Sequence, residues 1–559
     1  MKFLGEWRKP AEGVKLSGAC KQVGTRNGCS SGEAQQLSTE GARWQKSPNL
    51  SGKRTEDFIT DNICLFSCTF PEQLIINCSV FVFKGGKNMK ALEQFLYPIV
   101  VNINEYLSNY ILVFLLVAVG LWYTLKTRFV QIRYFKEGMK KVFGNLSLHG
   151  EQQESGMSSF QALATAIAAQ VGTGNIIGAS GAILTGGPGA IFWMWIIAFF
   201  GMATIYAEAT LAQKTRVIDK NGNIQGGPVY YIRTAFKGDF GKFLAGFFAI
   251  AITLALGFMG CMVQSNSIGS TFETAFGVPA WIMGLILVLI CGIIFLGGVK
   301  RLASVCEKVV PIMAGLFLLG SLIVLILRLP YLPATFAMIF KYAFQPQAIV
   351  GGAFGTAIKA VISQGAKRGL FSNEAGMGST PHAHAQANVA TPHDQGVVAM
   401  AGVFIDTFVV LSLNALAIIS TMYTADGPLA ECGAAAASEV ITKSNLAQTA
   451  FGSVMGEKFG AIFVAICLFF FAFSTILSWN MFGKINVIYL FGKNNSKTCT
   501  VVYTVIALVF IFLGTLMTND LVWELTDAFN YLMVLPNALA LFALTNMVTK
   551  SVSDADKNK

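Results

Sequence analysis

The chain has 559 residues, of which 54% are hydrophobic and only 13% are charged. A soluble domain carries about 25% charged residues, so this composition, with repeated apolar runs of ~20 residues, excludes an ordinary soluble protein and predicts a polytopic membrane protein. The net charge of +11 does not indicate nucleic-acid binding, because the basic residues lie mostly in short loops between the apolar runs, where they act as topology signals.

The first 88 residues differ from the rest of the chain. They are polar, hold only short apolar patches such as 74–83, and lack the charged start, apolar core and small-residue cleavage site of a signal peptide. At Met89 the sequence changes to MKALEQFLYPIV, a plausible beginning for a membrane protein. We predict that residues 1–88 are a disordered extension or a start-site artefact. Residues 89–156 are then expected to hold a leading transmembrane helix and a cytoplasmic amphipathic helix.

Eleven apolar stretches follow Met89, each long enough to cross a hydrocarbon core of ~30 Å as a helix. The predicted spans are 107–125, 157–183, 188–213, 243–268, 278–298, 304–328, 346–367, 395–422, 458–488, 498–517 and 524–549. Residues 128–144 alternate apolar and basic positions and are expected to form an amphipathic surface helix, and 229–236 show the same pattern more weakly. The predicted fold class is therefore all-α, a multi-pass membrane protein.

Lysine and arginine are unevenly distributed between the two sets of loops. The basic-rich set is 126–141, 214–242, 300–308, 367–368, 493–497 and 550–559. The opposite set holds only Lys90, Arg328, Lys341, Lys443 and Lys458. The positive-inside rule places the basic-rich loops and the C-terminal tail, 551–559, in the cytoplasm of a cell membrane. Eleven spans then place Met89 outside.

The ten spans after the leading helix divide into two groups of five, residues 157–330 and 331–550. The first span of each group is interrupted by glycines, at 172–175 (GTGN) and at 351–355 (GGAFG). Lipid offers no partner for a free backbone N–H or C=O, so a break at mid-depth survives when the freed groups face something polar inside the protein. Paired interruptions predict an inverted-repeat transporter with its binding site at the breaks. Alternatively, the glycines only let neighbouring helices approach closely.

Several long motifs resemble one known family. They are VGTGNIIGASGAILTGGPGAIFWMW (171–195), YAEATLAQKTR (206–216), QGGPVYYI (225–232), QGAKRGLFSNEAGMGSTPHAHAQA (364–387) and FIDT (404–407). The chain resembles the alanine or glycine:cation symporter family from about 110 to 550, and 1–88 is not covered. The resemblance implies a fold similar to that of the bacterial leucine transporter, with a leading helix before two inverted five-helix repeats. It also implies import of a small neutral amino acid with Na+, or in some members H+.

The first interruption is where the resemblance places substrate and ion. It implies that the backbone amides of Thr173 and Gly174 hold the substrate carboxylate, which suits the start of a half-helix. The carbonyls of Ala168 and Val171 would face a sodium ion, since hard cations prefer oxygen ligands. Asn175 is expected to offer its side-chain oxygen to the ion or to the substrate.

A polar group in span 458–488 is the second set of candidates. In related transporters a hydroxyl pair on this helix completes a sodium site against the first broken helix, and Ser474 and Thr475 match that pair. Trp479 lies four residues later on the same face as Thr475 and is expected to restrict the pocket to small side chains, with Asn480 beside it as a further substrate contact. The alternatives are hydroxyls bonded to their own helix and a tryptophan that only packs.

Other polar or central residues of the spans complete the candidate site. The resemblance suggests that Gln264 reaches the substrate, and Phe354 of the second interruption is expected to contact its apolar part. Asp406, Glu208 and Lys359 fall within predicted spans, where a charge costs ~3 kcal/mol, so they are expected to face the interior. Asp406 is a candidate second cation ligand or proton carrier. Structural pairing is the alternative for all three.

The loop SNEAGMGSTPHAHA (372–385) carries an HxH pair, His382 and His384. We interpret it as a gate or a connection on the cytoplasmic side, with Glu374 capping or pairing within it, rather than as a metal site. The glycines near 172 do not fit a dinucleotide fingerprint, and Walker A and HExxH motifs are absent from the sequence. No enzyme activity and no cofactor are therefore predicted.

The sequence thus predicts a secondary active symporter for alanine or glycine, with Na+ as the coupling ion and the lipid bilayer as its environment. A proton-coupled symporter using Asp406 or Glu208 is the alternative. A channel fits less well, because the polar residues cluster at two mid-depth breaks instead of lining a continuous path. The oligomeric state, and the choice between alanine, glycine and other small amino acids, stay open.

Overall fold

A computed structural model describes residues 94–144, 157–218, 224–345, 354–424, 427–430 and 441–558. The predicted extension 1–88 and the positions 346–353 of the second predicted interruption lie outside these residues. The described chain is almost entirely helical, which confirms the all-α fold class. Its one sheet is a two-stranded ribbon, Val217–Ile218 (β1) paired antiparallel with Ile224–Gln225 (β2).

The described residues up to 344 begin with a helical stretch, 94–106, and a π-helical segment, Leu107–Leu112, in which the helix is locally widened; such segments are called wide turns below. The helices that follow are α1 (Val113–Lys126), α2 (Val130–Arg133), α3 (Phe135–Gly144), α4 (Ser159–Gln170), α5 (Ala179–Gly186), α6 (Ala190–Thr215), α7 (Pro228–Ala235), α8 (Gly238–Ile252), α9 (Cys261–Phe276), α10 (Ala280–Leu296), α11 (Gly298–Leu327) and α12 (Leu332–Phe344). Further wide turns, Gly174–Gly178 and Thr253–Gly260, join α5 and α9 to the residues before them.

The remaining helices are α13 (Phe354–Asn373), α14 (Pro381–Gln386), α15 (Pro392–Val403), α16 (Ser412–Met422), α17 (Leu446–Met455), α18 (Glu457–Gly514), α19 (Asn519–Ala543) and α20 (Thr545–Lys557). A wide turn, Phe404–Leu411, joins α15 to α16. Such wide turns are frequent at functional sites, because they displace part of the helix ladder.

In the described part of the chain, seven helical stretches are long and apolar enough to cross a membrane, and a bent pair makes an eighth. The seven are Ala190–Thr215, Gly238–Phe276, Gly298–Leu327, Pro392–Met422, Glu457–Gly492, Lys497–Gly514 and Asn519–Ala543. Two shorter apolar helices, α1 and α10, coincide with predicted spans. The chain is thus a multi-pass membrane protein, and the count of eleven spans and the inverted repeat stay predictions.

The predicted break at 172–175 is present. Helix α4 begins with a capping box, in which Ser158 and Gln161 each bind the other's backbone N–H. It ends at Gln170, and Val171 takes an extended conformation. The axis then bends by 42° between α4 and the helical stretch 174–186. The surrounding residues are buried, so the break faces protein rather than lipid, as it must in a membrane.

A second break is present at 374–380, while residues 351–353 of the interruption predicted at 351–355 lie outside the described part of the chain. Phe354 and Gly355, the described part of the predicted break, are the first residues of the continuous helix α13. The chain leaves the helix after Asn373, and 374–380 form a non-helical segment that ends at α14. Its Glu374, Gly376 and Gly378 have φ of 58°, 93° and 78°, values that end a helix and that glycine adopts without strain. Gly376 and Gly378 thus mark a break that the sequence pattern did not predict.

Two further expectations for charges need correction. Lys367 and Arg368, counted as loop residues, lie inside α13, and the Arg368 guanidinium pairs with Asp527 of α19 at 3.1 Å. Lys359, expected to face the interior, is exposed on the same helix. Helix α13 therefore carries three basic residues, which is why its composition differs from that of the apolar spans.

Residues 128–144, predicted as one amphipathic surface helix, form the two short helices α2 and α3. Val130, Gly138 and Val142 are buried, while basic positions around them stay accessible. The predicted tail 551–559 is helical to Lys557 as part of α20. Asp556 of that helix accepts hydrogen bonds from the side chains of Arg133 and Tyr134. These bonds outweigh the effect of burial and lower the pKa of the Asp556 carboxyl.

The ends of α4 and α14 that lie away from the two breaks are joined by a backbone bridge. Met157 N–H donates to the Gln386 carbonyl at 3.0 Å, and Asn388 N–H donates to the Met157 carbonyl at 3.0 Å. Met157, just before α4, is thus paired in parallel with Ala387, just after α14. The bridge fixes these two ends side by side.

Candidate functional site

The first unwound segment, 171–173, is organised by the side chain of Asn175. Gly172 N–H donates to Asn175 Oδ1 at 3.0 Å, and so does not close the helical bond to Ala168. The Ala168 carbonyl is one of the four that a helix end leaves without an internal partner, and Thr475 Oγ1 of α18 donates to it at 2.8 Å. A Cβ on Gly172 would lie 2.5 Å from this hydroxyl, so the close approach requires glycine.

Thr173 and Gln264 carry polar groups that are not satisfied inside the protein. Thr173 N–H donates to Gln264 Oε1 of α9 at 3.2 Å. Within the described part of the chain, neither Thr173 Oγ1 nor Gln264 Nε2 has a hydrogen-bond partner, although both residues are fully buried. An unmet buried polar group costs about 1–3 kcal/mol. A hydroxyl and an amide N–H₂ in this position can bind an acceptor such as a carboxylate.

Asp406 lies beside the same break, on the wide turn Phe404–Leu411. Its fully buried carboxylate accepts hydrogen bonds from Asn175 Nδ2 at 2.6 Å, Ser372 Oγ at 2.9 Å and Thr407 Oγ1 at 2.7 Å. These donors are neutral, and the described residues supply no ion-pair partner to Asp406. The carboxylate and the two hydroxyls supply oxygen atoms of the kind that hard cations prefer, while Asn175 holds the carboxylate through its amide N–H₂.

The second unwound segment, 374–380, is held by its own buried carboxylate. Glu374 Oε1 accepts a hydrogen bond from the indole Nε1 of Trp479 at 2.5 Å, and Glu374 Oε2 accepts one from Ser379 Oγ at 2.5 Å. Glu374 and Ser379 are fully buried, and Trp479 is almost so. The carboxylate therefore connects this segment to α18.

A third buried carboxylate, Glu208 of α6, binds the backbone of the same segment. Gly378 N–H and Gly376 N–H donate to its two oxygens at 3.0 and 3.1 Å. Asn537 Nδ2 of α19 donates to Glu208 Oε1 at 2.6 Å and to the Gly376 carbonyl at 2.8 Å. The unwound backbone thus finds its partners in side chains, as a break in a membrane requires.

Aromatic rings lie along one side of the first break. The Phe371 ring lies edge-on to Trp479 with centroids 5.7 Å apart, and 4.6 Å from the Trp523 ring. A Cβ on Gly174 would lie 3.1 Å from Phe371 and 3.0 Å from the backbone of Ser372. Helix α13 therefore packs directly against Gly174, and the Phe371 ring fills the space beside it.

The structure separates the predicted sodium ligands into two places. Ala168 and Thr475 are in contact at one place, while Asn175 lies at the other, against Asp406. Ser474, expected to face the break, bonds instead to the Phe471 carbonyl of its own helix at 3.0 Å and to Met313 Sδ at 3.4 Å. For Ser474 the alternative of a hydroxyl bonded to its own helix is the one observed.

The predicted substrate residues are brought together only in part. Thr173, Gly174 and Gln264 meet at the break, as described above. The Asn480 side chain instead faces Tyr503, since its Nδ2 donates to the Tyr503 hydroxyl at 3.5 Å. Phe354 is nineteen residues from Asn373 along α13, which is about 28 Å at 1.5 Å per residue. It therefore lies far from the second unwound segment, and the phenylalanine near the break is Phe371.

The histidines of the HxH motif are not a surface feature. His382 and His384 are buried; His382 Nδ1 lies 2.7 Å from the Ser379 carbonyl and its Nε2 lies 2.8 Å from Asn486. His384 Nδ1 lies 2.8 Å from Gln395. The described residues contain no group of three His, Cys, Asp or Glu side chains that could hold a metal. The motif packs the second break against its neighbours.

Sequence reasoning missed Phe371, Ser372 and Thr407, and it named Glu374 only as a residue that caps or pairs within its loop. Phe371 and Ser372 precede the second unwound segment, and the available signal was the pair of closely spaced glycines in NEAGMG (373–378), a stretch interpreted above as a gate or a connection. Thr407 follows Asp406 directly, and its role depends on the wide turn that brings both side chains to the break.

Comparison with known proteins gives a consistent result. Residues 93–559 match the family model described as the sodium:alanine symporter family. The chain is 37% identical to the sodium/alanine symporter AgcS of Methanococcus maripaludis over 82% of this chain and 97% of that protein. It is 37% identical to GlnT of Bacillus subtilis, a "probable sodium/glutamine symporter", over 84% and 92%, and 35% identical to the amino-acid carrier protein AlsT of the same species over 84% and 94%.

Proposed function

We propose a function that proceeds from one fact: the chain belongs to the sodium:alanine symporter family. The protein is a membrane transporter and not an enzyme, and amino-acid symport with a cation is its general activity. The finer proposal is that it imports alanine or glycine together with Na+. The observation that carries it is the fully buried Asp406 carboxylate, surrounded by neutral donors beside the first helix break.

Two cation sites follow from the oxygen atoms near that break. The first consists of the Asp406 carboxylate with the Ser372 and Thr407 hydroxyls, and Asn175 positions the carboxylate through its N–H₂ group. In the second, the released Ala168 carbonyl and the Thr475 hydroxyl are the ligands, with the carbonyl of Val171, three residues after Ala168, as a further one. Na+ prefers such oxygen ligands, and the net positive charge it adds offsets the uncompensated charge of Asp406.

The substrate occupies the space next to Thr173, Gly174 and Gln264. Its carboxylate accepts hydrogen bonds from the Thr173 hydroxyl and the Gln264 amide, two buried groups that lack a hydrogen-bond partner among the described residues. The N–H groups at the start of the half-helix after residue 173 favour the same negative charge. Trp479 and Phe371 limit the space for the side chain, which favours alanine or glycine over the larger glutamine named for GlnT.

Transport needs no covalent step. Binding of Na+ and the amino acid at the two unwound segments stabilises the conformation that holds both, and a rearrangement of helix groups around the site then exposes it to the cytoplasm. The ion gradient supplies the driving force. The C-terminus and the basic-rich loops lie on the cytoplasmic side of the cell membrane, because cytoplasmic loops carry an excess of lysine and arginine.

Proton coupling is the second candidate, and the same carboxylate favours it. Asp406 is fully buried and, within the described part of the chain, has no basic partner, so protonation would also neutralise it. Glu208 fits less well, since its two oxygens bind the Gly376 and Gly378 N–H groups and the Asn537 amide, and protonation would weaken the contacts that hold the second break.

Uptake into proteoliposomes tests the proposal. Purified protein is reconstituted, and uptake of radiolabelled alanine and glycine is measured with an inward Na+ gradient, with a pH gradient alone, and with neither. Accumulation that requires Na+ supports the proposal. Accumulation that persists without Na+ and collapses with the pH gradient favours proton coupling. Absence of alanine and glycine uptake, with glutamine accumulated instead, would contradict the substrate assignment.

A further inference from the structure

Trp479 is placed between three helices at the first break. Its ring is almost fully buried, and a Cβ on Gly260, the residue before α9, would lie 2.5 Å from it. Phe371 of α13 meets it edge-on at 5.7 Å between centroids. An indole in such a position presents a large flat surface to the neighbouring space, and a small rotation of the ring changes how much of that space is open.

The polar edge of this ring is fixed from the second unwound segment. Indole Nε1 has one hydrogen to donate, and it donates to Glu374 Oε1 at 2.5 Å. The other carboxylate oxygen accepts from Ser379 Oγ, so the carboxylate cannot follow the ring without losing a second bond. Glu374 itself begins the unwound segment in a left-handed conformation, φ 58°, which points to a constraint at this residue.

We propose that Glu374 is a positioning residue that sets substrate specificity by holding the Trp479 ring. The inference rests on the proposed function, because it assumes that Trp479 borders the amino-acid site. The carboxylate connects the second unwound segment, 374–380, to the ring that limits the substrate side chain at the first break. Both breaks therefore set the width of the site together. Neutral amino acids with larger side chains are the substrates that this contact excludes.

A purely structural role for Glu374 is the competing explanation. In that case, loss of the carboxylate would lower stability and turnover for every substrate alike. A role in positioning instead changes the ratio of kcat/KM for a larger substrate to that for alanine. Discrimination between substrates in an apolar pocket reaches about 10–200-fold per group, so a displaced wall has a measurable effect on this ratio.

The test measures the leucine-to-alanine ratio of kcat/KM in proteoliposomes for a set of variants. Glu374→Ala and Trp479→Phe both remove the bond, and each is expected to raise the ratio by about tenfold or more. Glu374→Gln keeps an acceptor oxygen of the same size and is expected to restore a ratio near that of the wild type. The double variant Glu374→Ala/Trp479→Phe is expected to add little to either single change, as for two halves of one contact.

Trp122→Phe is the matched control. Trp122 Nε1 donates to Thr545 Oγ1 at 2.9 Å, far along the chain from the two breaks, so this variant loses an indole hydrogen bond outside the site and the ratio should not change. Ser379→Ala is the milder variant if Glu374→Ala does not fold; it removes one support of the carboxylate and should shift the ratio in the same direction. Thermal unfolding in detergent identifies variants that have lost the fold.

The proposal is overturned if folded Glu374→Ala and Trp479→Phe proteins keep the wild-type ratio, or if Glu374→Gln shifts it as far as Glu374→Ala. The first result would leave Glu374 with a structural role, and the second would assign the effect to charge instead of position. If the wild-type protein takes up neither alanine nor glycine, the proposed function fails instead. Uptake by the wild-type protein therefore distinguishes failure of the proposed function from failure of the role assigned to Glu374.

Discussion

Replacing Asp406 by asparagine gives the sharpest test of the cation site. The side chain keeps its size and one acceptor oxygen, while the charge disappears from a position that is fully buried and bonded to Asn175, Ser372 and Thr407. A cation about 4 Å from a carboxylate gains about 4 kcal/mol at an effective dielectric constant of 20. Since each 1.4 kcal/mol is a factor of ten, Na+ affinity should fall roughly 1,000-fold.

The assay is Na+ activation of alanine uptake in proteoliposomes, together with Na+-dependent alanine binding in detergent, which does not require turnover. Asp394→Asn is the matched control: it is the same substitution near the start of α15, where the carboxylate pairs with Lys141 at 2.7 Å, and it should leave Na+ affinity unchanged. An Asp406→Asn protein that folds and keeps the wild-type Na+ concentration for half-maximal uptake would refute the assignment.

Three further outcomes are expected. Thr475→Val removes the hydroxyl next to the Ala168 carbonyl and should raise the Na+ concentration for half-maximal uptake by about tenfold, the value of one hydrogen bond, whereas Thr475→Ser should not. Trp479→Ala should admit leucine as a substrate in competition uptake, and unchanged selectivity would remove it as a filter. Asp527→Asn leaves the Arg368 charge buried, so we expect a loss of about 3–5 kcal/mol in unfolding stability, measured as a lower melting temperature; an unaltered melting temperature would argue against a structural pair.

The amino-acid sequence predicts the helical class and the first break well. The apolar runs and their lengths give the spans directly, because the bilayer thickness fixes the length of a helix. The GTGN stretch is recognisable because glycine and asparagine are unusual in the middle of an apolar helix. Ala168, which acts through its backbone at that point, is named from the family resemblance, and its free carbonyl agrees with what a helix end leaves without an internal partner.

The second break could not be placed in the same way. Local sequence does not show that the glycines at 376 and 378 end a helix inside the protein. The contacts that hold this break are long-range: Glu208 is 168 and 170 residues from the two amides it binds. For the same reason the sequence does not show that Ser474, assigned from the family resemblance, bonds to its own helix, or that Ser372 and Phe371 lie at the first break. Such partners are set by tertiary packing.

The backbone bridge between Met157 and the end of α14 has a mechanical consequence. Sliding one of these half-helices past the other would break two main-chain hydrogen bonds at a buried position. The pair is thus expected to swing as a single lever, with bending confined to the unwound stretches nearer the membrane centre. A covalent crosslink between cysteines introduced at 157 and 387 should therefore leave turnover intact, whereas one that spans an unwound stretch should stop it.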